Sequence, residues 1–265
     1  MGVLNVTPDS FADGGLYLQP DAAVAQGRRL ITEGADIVDV GGESTRPGSE
    51  GVAPEEQMRR VVPVIRGIRK VWTGPISIDT TRADVAAAAF EAGANWVNDT
   101  SALRDDPELA GFVAAAKCVV ILMHRKGPPR TMQVNPVYAD VVDEVAEFLK
   151  DRAGFAQGVG VAPDHVVIDP GIGFGKTVPH NLALLHGLPH LIRLGYPVLV
   201  GASRKSFIGQ LTDAPPAERL EGSLAAAILA AQGGAKILRV HDVASTRRAL
   251  TVAGAITAGP SAPPT

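Results

Sequence analysis

Eight short apolar runs rich in β-branched residues recur along the whole chain, and a helix-length segment follows each. The runs are Val3–Val6, Ile37–Val40, Ile76–Asp79, Trp96–Asn98, Val119–Met123, Val166–Asp169, Val198–Val200 and Ile237–Val240. Most lack strict in/out alternation, as parallel strands covered on both faces do. Helical patterns span Pro20–Gly34, Glu55–Val71, Arg82–Ala92, Pro107–Ala116, Tyr138–Phe155, Asn181–Leu194, Ala217–Gln232 and Val243–Ala258. Three of the junctions back to a strand carry Gly before a small residue, at Gly34-Ala35, Gly93-Ala94 and Gly234-Ala235, where a helix end can take φ > 0.

Strand then helix, repeated eight times in 265 residues, predicts an α/β fold of one (β/α)8 TIM barrel with its active site at the C-terminal ends of the strands. An open doubly wound sheet would carry a Gly-rich phosphate loop after its first strand. Here that strand runs into Asn5-Val6-Thr7-Pro8-Asp9-Ser10-Phe11. No linker interrupts the pattern, so residues 1–258 form one domain and the Pro-rich 259–265 a disordered tail. The chain starts inside a strand, which leads one to expect native residues before Met1.

Composition narrows the function. Hydrophobic residues make up 46% of the chain and charged residues 20%, too apolar for a disordered protein. Against 28 acidic residues stand 25 basic ones, a net charge of −3, so a whole-surface grip on nucleic acid is not expected. No apolar run reaches the ~18 residues that span a bilayer, and no signal peptide is visible. The single cysteine, Cys118, precedes Val119-Val120-Ile121-Leu122 and reads as an inert core thiol. These features fit a cytoplasmic protein.

Nearly every strand ends in a polar or ionisable group: Asn5, Asp39 with Gly41-Gly42-Glu43, Asp79, Asn98-Asp99, Met123-His124, Asp169, Ser203-Arg204-Lys205, and Arg239 with His241-Asp242. Two carboxylates and an amide at one mouth need donors, because burying them unpaired is costly. A heterocycle with an amino-pyrimidinone edge supplies such donors, taken pairwise by one carboxylate. Lys205 can donate to a ring carbonyl and nitrogen. Arg239 and His241, read as cations side by side, suit an anion such as a phosphate. With Lys205 they would concentrate positive charge at one rim, so a mildly acidic chain can still take an anionic ligand. The loops Asp9–Gly15 and Gly41–Gly48 read as lids with Gly hinges. The run Asp169–Lys176 (DPGIGFGK) lacks Walker spacing, so a nucleotide loop is rejected.

Taken together, Gly2–Phe11 (GVLNVTPDSF), Gly42–Gly48 (GESTRPG), Ser77–Thr80, Val97–Asp99, Met123-His124, Asp169–Lys176, Gly201–Lys205 (GASRK) and Leu238–Val243 resemble, in order, the motifs of the dihydropteroate synthases. These are pterin-binding enzymes of the folate pathway and targets of sulfonamides. The resemblance implies condensation of 6-hydroxymethyl-7,8-dihydropterin diphosphate with p-aminobenzoate to 7,8-dihydropteroate and pyrophosphate. It implies a pterin pocket of Asp79, Asn98, Met123, Asp169, Phe174, Gly201 and Lys205. It places Asn5, Arg239 and His241 on the pyrophosphate, Asn5 also on Mg²⁺, and Phe11, Thr45, Arg46, Pro47 and Ser203 around p-aminobenzoate. Asp79, Lys205, Arg239 and His241 would carry the catalysis. A homodimer is also implied, with no nucleic-acid or membrane partner.

Two other functions share parts of this pattern. A pterin-dependent methyltransferase would need neither Arg239-Val240-His241 nor Ser44-Thr45-Arg46-Pro47. A non-catalytic paralogue should have lost some of these residues, and none is missing. Departures from the family pattern are Ala12, Trp96 and the Arg125-Lys126 pair, which reads as solvent-facing.

Overall fold

The computed structural model describes residues 1–7, 20–43, 51–128 and 130–259. Six strands form one parallel sheet: β1 (Gly2–Asn5), β2 (Val38–Gly41), β3 (Ile76–Asp79), β4 (Trp96–Asp99), β5 (Val119–Met123) and β6 (Val166–Asp169). Each pairs with the next in chain order. β7 (Leu199–Val200) and β8 (Ile237–Leu238) pair separately. Single parallel bridges, Ile168 to Val198 and Gly2 to Val240, join this pair to both edges of the sheet. The Val3 amide donates to Val240 O at 3.0 Å and the Ile168 amide to Pro197 O at 3.0 Å. The eight strands therefore run round a ring in chain order, as the sequence predicts.

Ten α-helices lie among the described residues: α1 (Pro20–Thr32), α2 (Pro54–Arg69), α3 (Ala83–Ala92), α4 (Pro107–Ala116), α5 (Val141–Gly158), α6 (Val178–His186), α7 (Leu188–Ile192), α8 (Ser206–Thr212), α9 (Leu220–Gln232) and α10 (Val243–Ala258). Several start where the chain supplies a cap. Asp106 and Asp140 accept amide bonds at the starts of α4 and α5, and Thr177 forms a capping box with His180 at α6. The helix expected over Asn181–Leu194 is two helices. They break at Gly187, where a Cβ would stand 2.9 Å from Val142 Cγ2, and Pro189 opens the second. The short α8 was not foreseen, because seven residues hold too few turns to show a helical period.

The strands sort their side chains by parity. Leu4, Val38, Ile76, Ile78, Val97, Val120, Leu122 and Ile168 join the large core that packs under the helices. Residues of opposite phase, Met1, Ile37, Ile121, Val167 and Leu199, form a separate cluster with Trp96, Val119 and Ile237. That second cluster is the floor inside the barrel. Most strands are apolar on both faces low in the ring, β3 with its buried Ser77 being an exception, hence the missing alternation in the sequence. Each side chain fully buried there stabilises the fold by roughly 1.5–3 kcal/mol.

Candidate active site at the mouth of the barrel

Stepping up each inward series by two residues from the apolar floor reaches the mouth. The series lead to Asn5 and Gly41 on β1 and β2, Asp79 and Asn98 on β3 and β4, and Met123 and Asp169 on β5 and β6. Beyond β7 and β8 they lead to Gly201, Arg239 and His241. The period of two thus brings together the strand-end residues singled out in the sequence. Gly41 keeps the mouth open, since a Cβ there would lie 3.5 Å from Asp79 Cβ and 3.7 Å from Asn5 Oδ1. A Cβ on Gly201 would lie 3.8 Å from Arg239 Cβ.

At the centre is the guanidinium of Arg239. Its Nε donates to Asp39 Oδ2 at 2.6 Å and its Nη2 to Asp79 Oδ2 at 2.8 Å. Asn98 Nδ2 also donates to Asp39 Oδ2, at 3.2 Å. The second oxygens, Asp39 Oδ1 and Asp79 Oδ1, are buried without a hydrogen-bond partner among the described residues. Burial pushes the Asp79 carboxyl up, against the pull of Arg239. Burial likewise raises Asp169 to about 6, although its Oδ1 accepts the Gly171 amide at 2.7 Å. Such unsatisfied buried acceptors are what a ligand rich in N–H donors would fill.

His241 is not the cation expected. Its Nδ1 lies 3.0 Å from Ser203 Oγ, and burial with the nearby Arg239 lowers its pKa to about 4, so the ring is neutral at pH 7. Nor is the rim simply positive, because Arg239 is already matched by Asp39 and Asp79. Those carboxylates lie at strand positions whose depth the one-dimensional pattern does not show.

The segment after β6 forms the other wall. Met123 and Phe174 cluster with Met132, and Lys205 Nζ stands 4.0 Å from the centroid of the Phe174 ring. The Lys205 stem runs beside Gly173, where a Cβ would meet Cδ at 3.2 Å. Lys176 holds this segment from beneath. Its buried Nζ lies 2.9 Å from His124 Nδ1 and donates at 3.0 Å to both Gly171 O and Phe174 O. Burial lowers Lys176 to about 7, and burial beside Lys176 holds His124 down to about 2. A neutral imidazole accepting at Nδ1 is the form this bond requires. Gly171 has φ 67° and backs onto the His124 carbonyl, leaving no room for a side chain.

Phe11, Thr45, Arg46 and Pro47 lie outside the described residues, as do most of both predicted lid loops. Glu43, at the root of the second loop, is described. It accepts the Val52 amide at 2.9 Å and Gln57 Nε2 at 3.1 Å, which ties both ends of the loop to α2. Asp39, Lys176 and Glu43 stand out in the sequence as polar residues at or beyond strand ends, but the sequence reading gives none of them a role in the site. Each had a signal: a carboxylate inside an apolar run, a lysine closing a Gly-rich run, and a glutamate after Gly-Gly.

Arg125 corrects another expectation. It is buried, and its Nη2 donates to Asp105 Oδ2 at 2.8 Å. Only Lys126 faces solvent, lying over Tyr138 and bonding to Glu144.

Magnesium was expected on Asn5. Among the described residues no group of three His, Cys, Asp or Glu side chains could hold a metal. Magnesium needs only one or two protein oxygens when phosphate and water complete its shell. The Asn5 amide oxygen, on the same side of Gly41 as Asp79, fits that modest demand.

Comparisons with known proteins agree with this geometry. The family model described as "Pterin binding enzyme" matches residues 1–241. A dihydropteroate synthase from Synechocystis is 47% identical over 257 residues, covering 97% of this chain and 89% of that protein. The solved structure of Xanthomonas albilineans dihydropteroate synthase with 4-aminobenzoic acid superposes with a TM-score of 0.92 at 50% identity, covering 98% of this chain and 93% of that one. The same enzyme in complex with 7,8-dihydropteroate gives a TM-score of 0.88 at 47% identity, with the same coverage.

Proposed function

The chain belongs to the pterin-binding enzymes, and from that membership together with the mouth just described we infer its reaction. It is a transferase of the dihydropteroate synthase type, joining 6-hydroxymethyl-7,8-dihydropterin diphosphate to p-aminobenzoate and releasing pyrophosphate. The observation that carries this is the set of buried carboxylates around Arg239, with Asp39 Oδ1 and Asp79 Oδ1 lacking donors.

The site residues divide the work. Asp169 takes a pair of pterin N–H donors, Asn98 and Lys205 bond the rest of the ring edge, and Met123, Phe174 and Gly201 wall the ring. Arg239 and His241 hold the diphosphate. The C–O bond from the pterin methylene to the diphosphate breaks first, and its electron pair leaves with the pyrophosphate. Positive charge then develops on the methylene and ring, where the Asp79 carboxylate stabilises it. The aromatic amine attacks the methylene carbon and gives up a proton, so no activated protein nucleophile is needed. Ser203, with Phe11, Thr45, Arg46 and Pro47, frames that amine. Asn5 would hold Mg²⁺, which when bound would neutralise charge on the departing anion.

Among the described residues no helix is long and apolar enough to cross a membrane. We propose a cytoplasmic homodimer. The support is the exposed apolar residues of α9 and α10 and the lone, buried Cys118, which burial raises to about 11.

A coupled pyrophosphate-release assay tests the reaction, run with and without p-aminobenzoate and Mg²⁺ and read alongside the mass of the pterin product. Release accompanied by the mass of 7,8-dihydropteroate is the expected result. Intact pterin binding without a condensed product would overturn it.

A further inference from the structure

Asp39 sits one inward step below Gly41 on β2, with no exposed surface at all. A single oxygen, Oδ2, takes both the Nε of Arg239 and the Nδ2 of Asn98. Arg239 lies 200 residues away in sequence and Asn98 lies 59 away. These two partners belong to opposite ends of the diphosphate substrate. We propose that Asp39 is a positioning residue that couples the two ends, setting the Arg239 guanidinium for the diphosphate and the Asn98 amide for the pterin. This rests on the functional reading above and deepens it.

The donor count supports the assignment. A guanidinium has five N–H bonds. Asp39 Oδ2 lies against both Nε and Nη2, and Asp79 Oδ2 against Nη2, which leaves the two Nη1 hydrogens for an anion. A guanidinium gripped at two points presents that remaining edge in one orientation. Asp79 lies one inward step nearer the mouth, level with Gly41 in the β2–β3 register, whereas Asp39 is level with Ser77. Asp39, beneath, can hold Arg239 while Asp79 engages the ring.

The amide follows the same logic. By accepting from Nδ2, Asp39 decides which way Asn98 points and commits its nitrogen to the protein. The Asn98 carbonyl oxygen is then the end left for a pterin donor. Stability alone is a weak reason for this arrangement, since apolar side chains of similar volume commonly replace buried ion pairs without loss.

The experiment compares Asp39→Asn, Arg239→Met, Asn98→Ala and the double variant Asp39→Asn/Arg239→Met, each first checked for a cooperative melt. Steady-state kinetics and product inhibition by inorganic pyrophosphate are the readouts. We expect Asp39→Asn to weaken pyrophosphate inhibition by about tenfold and to lower kcat/KM for the dihydropterin diphosphate by at least as much. KM for p-aminobenzoate should stay within about threefold, and in the Arg239→Met background Asp39→Asn should leave pyrophosphate inhibition unchanged, its remaining effect being the part carried through Asn98. A merely structural role would instead move the constants for both substrates and for pyrophosphate together and add in full to Arg239→Met, which overturns the proposal. If Asp39→Asn does not fold, Asp39→Glu carries the same criteria, keeping the charge but displacing the carboxylate by a methylene. If Arg239→Met and Asn98→Ala leave turnover untouched, the site assignment itself falls and the proposal with it.

Discussion

Asp169 shows how a single side chain at this mouth balances fold against ligand. Its pKa is raised to about 6 by burial, above the ordinary carboxylate value of 3.8. The folded state thus holds its proton more tightly than the unfolded chain does. The stability linked to that proton is full below 3.8 and is lost as pH rises through about 6. At neutral pH the ionised carboxylate works against the empty fold, and ligand N–H donors relieve it. Pterin affinity should therefore rise from pH 5 to pH 7.5, and the ligand-induced rise in Tm with it; calorimetry and thermal melts at those two pH values check this. Asp169→Asn replaces a two-acceptor group with an amide that has one acceptor and a mismatched donor. Calorimetry should show pterin affinity reduced by about a hundredfold or more, the scale of an unpaired buried hydrogen bond to a charged group. Asp79, Asn98 and Asp169 were legible in the sequence because each ends an apolar run. Asp39 was visible there too, but its depth depends on register, which comes only from the paired strands. Arg125 was misread because its partner, Asp105, lies 20 positions away and only the fold brings them together.

The segment between β6 and α6 makes the case for elements. Its Gly-rich run looks like an anion cradle, yet its lysine turns inward. Lys176 Nζ has His124 Nδ1, Gly171 O and Phe174 O close around it and His124 O at 3.4 Å, so its N–H bonds are all turned into the protein. Gln133 adds a brace, donating to Gly173 O at 2.7 Å, and the Tyr138 hydroxyl donates to Gly175 O at 2.8 Å. The segment is thus a rigid wall that sets Phe174 and Asp169. Lys176→Met leaves buried carbonyls unpaired and should lower stability by about 1–3 kcal/mol in urea unfolding. It should also weaken pterin binding while sparing KM for p-aminobenzoate, a split that steady-state kinetics would read. The spacing of the run rules out a nucleotide loop, but the sequence could not show the clamp, since His124 stands 52 positions before Lys176. The second loop is the complement. Glu43 and Gln57 fix its root, and Arg46 follows Glu43 by three positions in the sequence. Arg46→Ala should raise KM for p-aminobenzoate several-fold and leave pterin affinity, measured by calorimetry, unchanged.

For the whole molecule, ring closure decides what each face can do. The inner face of the barrel is apolar at the floor and ionic at the mouth, so chemistry is confined to one end. The outer face of the strands is covered by helices, and the remaining question is what covers the helices. Most do not need covering, but α9 and α10 contact each other and expose Leu229 at 64%, Val252 at 60% and Ile256 at 75%. A shallow concavity on α10, lined by Thr251, Val252, Ala255 and Ile256, continues the same surface. Single exposed leucines are ordinary. Large aliphatic residues repeated one helical turn apart, as Val252 and Ile256 are, form a stripe that water disfavours. A second copy of the chain presenting the same stripe would bury both, which is the isologous contact of a two-fold dimer. The active-site mouth is built from strand ends and the loops beyond them, so such a dimer leaves each catalytic centre complete. Ile256→Asp puts a charge at the middle of that stripe while touching no mouth residue. Sedimentation velocity should show the wild-type chain as a dimer and the variant as a monomer. The monomer should retain pyrophosphate release per chain within about twofold, because surface changes far from a site are usually near-neutral. A wild-type protein sedimenting as a monomer would refute the dimer, and a variant that stays dimeric would move the interface elsewhere on the barrel.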